Sequence, residues 1–132
     1  MNRTRTLLLL MLTYASASLT HFIHNALHIR AYPNLPSWIT PFGVYISWCA
    51  IAVIGVLGYW LYRRVSRSAG LLMIGLYALV GFGGLDHYVI APVSAHTVAM
   101  NASIIVEVFT AFVLLGFVAR LMLLSDKRAD PM

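Results

Sequence analysis

Four apolar stretches, separated by short polar or proline-containing breaks, organise the chain. They run from Leu7 to Ile29, Phe42 to Tyr62, Gly70 to Ala91 and from about residue 95 to Leu124. Each is close to the ~20 residues an α-helix needs to cross the hydrocarbon core of a bilayer. The first break holds Pro33, Pro36 and Pro41 with Asn34 and Ser37, a composition that stops a helix and turns the chain. The second is the basic turn of Arg63, Arg64 and Arg67, and the third begins at Pro92, with Ser94 placed to cap the last helix. So short a third break makes spans three and four antiparallel. The pattern predicts an all-α, antiparallel four-helix bundle forming a single domain over residues 1–132, with spans at about 6–29, 42–62, 70–91 and 95–124.

Composition assigns the solvent around that bundle. With 61% hydrophobic and 10% charged residues and a mean hydropathy of +0.83, the chain cannot cover itself with polar surface. It reads as a multi-pass protein of the cell membrane, the inner membrane in a Gram-negative cell, with lipid as its standing partner. Of its nine basic residues only Arg30 lies outside the amino end, the middle turn and the carboxyl end. That bias predicts cytoplasmic termini, and it accounts for the net charge of +5 without a nucleic-acid partner. Trp38, Tyr45 and Trp48 are then anchors at the outer interface, and Tyr59, Trp60 and Tyr62 at the inner one. Ala15-Ser16-Ala17 resembles a signal-peptide cleavage site, but the apolar run continues past it to Ile29, which favours an uncleaved first span. The single cysteine, Cys49, has no partner in the chain and is expected to be a buried, inert thiol. Association of identical copies is compatible with the sequence and not specified by it.

Inside these runs stand groups that lipid does not solvate. His21, His24 and His28 occupy i, i+3 and i+7 and share a helical stripe with Tyr14, Ala17, Ser18 and Asn25. Asp86 and His87 lie near the end of the third run; His96, Met100, Ser103 and Glu107 form one face of the fourth. In the expected orientation all five histidines and both acids belong to the outward half of the bundle. Counting 1.5 Å per residue, His21 lies roughly 12 Å down its helix, His87 roughly 8 Å and Glu107 roughly 18 Å, depths that let long side chains converge.

A carboxylate near the bilayer centre costs at least ~2.5 kcal/mol, and a bound cation would offset that. Imidazole with carboxylate suits zinc, iron or copper, whereas calcium and magnesium prefer oxygen shells. His21 and His28 are roughly 10 Å apart along the axis, too far to share one ion. The expectation is a transition-metal site with His21, His24, Asp86, His87 and Glu107 as inner ligands and His28 and His96 at its mouth. Glu107 or Asp86 would accept a proton if a lipid-soluble substrate were oxidised or hydrolysed there. Gly81, Gly83 and Gly84 would also admit a flat cofactor, so a b-type haem between two histidines is an alternative. A metal or proton-linked carrier, a quinone or lipid binder, and a structural polar network are further ones. The H-H pairs of membrane desaturases and the H-E-x-x-H of zinc metalloproteases are absent. Whether the protein is an enzyme is left open by the sequence.

Overall fold

A computed structural model describes residues 2–126; Met1 and the tail from residue 127, including the basic Lys127 and Arg128, lie outside the described residues. Among those described there are helices and connections and no strand. Helix α1 covers Arg3–Leu27, α2 Pro41–Arg64, α3 Arg67–Val80, α4 Asp86–Ile90 and α5 Val98–Asp126. A 3-10 stretch, Gly81–Leu85, joins α3 to α4, so the two make one interrupted apolar span, Arg67–Ile90. Four spans are thus long and apolar enough to cross a membrane.

Side-chain caps fix where the helices begin. Asn2 accepts from the Thr4 N–H at 3.1 Å, Thr40 from Gly43 at 3.1 Å just ahead of Pro41, and Ser66 from Ala69 at 3.3 Å. The last helix corrects the sequence reading: Ser94 lies within a 3-10 turn, Val93–Ala95, and Thr97 caps α5 by accepting from Met100 at 3.2 Å. The chain is still extended at His96 (φ −97°, ψ 145°), so helical geometry resumes only after it. Span three is corrected too, since one continuous helix over 70–91 was expected. Glycine is a poor helix former, and three glycines within four residues leave the α-helix little to hold it.

Helix α1 packs against α2 and α5, and α3 packs against the same two. The shared core lies toward the arginine-bearing ends, where Leu7 and Met11 of α1 meet Leu71 and Ile74 of α3 and Leu114 and Val118 of α5. Helix α2 enters it least, for its only buried residues are Gly55 and Gly58, which lie against Tyr77 and Ile74 of α3. A Cβ at Gly70 would overlap the backbone of Tyr62, so glycine there permits the tight turn between α2 and α3. Cys49 is exposed, correcting the expectation of a buried thiol. Apolar neighbours in sequence look the same whether their helix faces protein or lipid, and α2 turns most of its surface outward.

Candidate functional site

At the opposite ends of the helices from the core, α1 brings His21 and Asn25 onto one face, one turn apart. Helix α4 presents His87 to them and α5 presents Ser103 and Glu107. His21 is 2% exposed and Glu107 2% exposed, so both are inside the protein. Hydrogen-bond directions follow from one end of the network. Ser103 donates its hydroxyl to the Met100 carbonyl at 2.9 Å, so its oxygen accepts from His21 Nδ1 at 3.1 Å. His21 Nε2 is left as an acceptor and takes an N–H from the Asn25 amide at 3.0 Å. The second N–H of that amide points to His87 Nε2 at 3.4 Å. Glu107 Oε2 lies 3.6 Å from His21 Nε2.

The break in span three makes room for this cluster. A Cβ at Gly84 would stand 3.3 Å from Glu107 Oε2, and one at Gly81 would meet the Tyr14 hydroxyl at 2.7 Å. Beneath Glu107, the hydroxyls of Tyr14 and Ser18 are buried without a hydrogen-bond partner.

The other histidines are placed separately. His24 Nδ1 and the Tyr32 hydroxyl share a hydrogen bond of 2.9 Å, and the His24 ring lies 4.6 Å from that of exposed His28. Tyr32 comes from the connection between α1 and α2. It is 4% exposed, its ring lies 4.9 Å from His87, and burial pushes its phenol up to about 12, so it keeps its proton. His96 is buried rather than standing at a mouth; its Nδ1 donates to the Pro92 carbonyl at 3.1 Å, and its ring lies 6.1 Å from His87. Asp86 is exposed; its backbone N–H donates to the Gly83 carbonyl, and its carboxylate has no hydrogen bond among the described residues. Neighbouring helix positions differ by about 100°, so Asp86 and His87 do not aim at one point.

Of the seven residues expected to bind metal, His21, His87 and Glu107 therefore come together. His24 and His28 form a second group, His96 borders His87, and Asp86 stands apart. Among the described residues no group of three or more His, Cys, Asp or Glu is arranged to hold a metal ion. The sequence reading missed Tyr32, whose one signal was an aromatic ring directly before a proline in the connection between the first two spans. It placed Ser103 on the correct stripe without seeing that it orients His21.

Two cavities adjoin the cluster. One, of about 200 Å³, is bordered by His21, Asn25, His87 and Glu107 and walled by Gly83 and Gly84. The other, of about 370 Å³, lies between α1, the 28–40 connection and α2, with largely apolar walls such as Ile29, Leu35, Trp38 and Val44. They share Phe22, Asn25 and His87 as common walls.

Fold and site together are compatible with a class, the multi-pass helical membrane proteins, with a polar chamber built among the spans. Compared with known proteins, the chain matches no family model, no curated protein and no solved structure.

Proposed function

We propose that this is an integral membrane protein that takes a lipid-soluble molecule with a polar head into the histidine-bearing half of its helices. The observation that carries the reading is the cavity of about 370 Å³, whose apolar walls end on Asn25 and His87. That volume is within the range of small-molecule sites, which pair apolar walls with a few orienting polar groups. The histidine end faces the outside and the termini face the cytoplasm; the placement of the arginines supports this orientation.

The test is to extract the purified protein with organic solvent and identify what it carries by mass spectrometry. Ser47 borders the cavity from α2, so Ser47→Trp fills it from a helix that contributes little to the core. A lipophile retained by the parent and about tenfold depleted in the variant is expected, with melting unchanged. Equal retention by both proteins sinks the reading.

A centre of zinc, iron or copper is the second reading, and one observation favours it. The 3.6 Å between His21 Nε2 and Glu107 Oε2 is close to the ligand-to-ligand edge of a tetrahedral site, about 3.4 Å for ligands 2.0–2.1 Å from the ion. Elemental analysis showing near one first-row metal per chain would favour it over the lipophile site. A reduced-minus-oxidised spectrum of b-type haem would replace both.

A further inference from the structure

The smaller cavity has a size and a hydrogen-bonding character of its own. An apolar cavity of about 150 Å³ holds benzene. At about 200 Å³, this one takes one six-membered ring with oxygen substituents, and Gly83 and Gly84 give it a wall without side chains. A Cβ at Gly83 would meet nothing within 4 Å, so that side is open.

The polar atoms left open around the ring's place are oxygens. The Ser103 hydroxyl is committed to Met100, which puts the His21 proton on Nδ1 and leaves Nε2 to accept the N–H of Asn25. The Asn25 amide spends its N–H groups on the two imidazoles, so both Nε2 atoms are paired, while its own Oδ1 is buried without a donor. Glu107 adds carboxyl oxygen 3.6 Å from His21 Nε2. A carbonyl-only head would set oxygen lone pairs against the oxygens of Asn25 and Glu107, whereas a hydroxyl supplies the proton that Asn25 Oδ1 lacks.

Resting on the lipophile-binding reading, we infer that the ligand's head is a single hydroxylated ring of the phenol or quinol class. Its hydroxyl donates to the oxygens of Asn25 and Glu107 beside His21, while its apolar tail occupies the larger cavity beyond Phe22, Asn25 and His87. The head thereby enters beside the buried acid and the tail stays among Ile29, Trp38 and Val44.

The experiment uses the full chain in lipid nanodiscs and three probes with similar tails: 4-nonylphenol, its methyl ether, and decyl-benzoquinone. Affinities are read from thermal shift and tryptophan fluorescence. The phenol is expected to bind about tenfold more tightly than the ether or the quinone, the scale of one buried hydrogen bond. Asn25→Leu, which removes the open oxygen acceptor and keeps the volume, is expected to bring the phenol down to the affinity of the ether. This comparison of probes in the parent protein does not depend on the variant folding. Equal binding of all three, or tighter binding of the quinone, overturns the hydroxylated head and leaves lipophile binding standing. Binding of none overturns both.

Discussion

Tyr14 carries a hydroxyl that the fold buries and leaves without a partner. Its ring earns its place by packing edge-on against Tyr77 at 4.7 Å, but the oxygen lost its water on folding and gained no hydrogen bond in return. Tyr14→Phe is therefore expected to be neutral or to stabilise the protein by up to ~1 kcal/mol, because it removes an unsatisfied group and keeps the ring. Ser103 is the contrasting case, since its hydroxyl bridges His21 Nδ1 and the Met100 carbonyl. Ser103→Ala is expected to cost about 1–2 kcal/mol by leaving a buried imidazole N–H unpaired. Unfolding by sodium dodecyl sulfate in mixed micelles measures both, and a costly Tyr14→Phe would mean that its hydroxyl has a partner after all.

Among the elements, the interrupted third span differs most from what its sequence suggests. Gly81 and Gly83 look alike in sequence and are unlike in place. A Cβ at Gly81 would press on Tyr14 and on Ala111 Cβ at 2.7 Å, while one at Gly83 has free space. Gly81→Ala is expected to destabilise by about 1–3 kcal/mol through overpacking. Gly83→Ala is expected to be neutral or slightly stabilising, since alanine loses less backbone entropy. The same micelle titration decides, and equal effects would mean that the 3-10 stretch reflects propensity alone. The existence of four spans was legible because apolar runs of that length have few other uses. Their interruptions were harder to see, because a glycine notch can equally sit in an unbroken helix. Ser94 and Thr97 are both acceptable caps, and only the extended backbone at His96 chooses between them. In the site, the stripe of His21 and Asn25 was legible from helical period, and the meeting with His87 and Glu107 from their similar depth. Tyr32 was not, because the path of a connection has no period to read.

For the whole molecule, the long helices separate two kinds of chemistry. One end carries Arg3, Arg5, Arg63, Arg64 and Arg67, and the other carries the histidine chamber under the 28–40 connection. In a cysteine-free background, Ser37→Cys and Ser94→Cys are expected to react with a membrane-impermeant maleimide on intact cells. Val65→Cys is expected to react only after permeabilisation. A reactive residue 65 on intact cells would turn the chamber toward the cytoplasm. Helix α2 has a further consequence. Its only buried residues are two glycines, and large apolar side chains such as Val53, Val56 and Trp60 are more than half exposed. Where lipid is the neighbour, one apolar side chain replaces another at little cost. Along a lineage of such proteins, most of α2 would drift freely among apolar residues while Gly55 and Gly58 held still. Descendants could then share little sequence over that helix and keep the same fold.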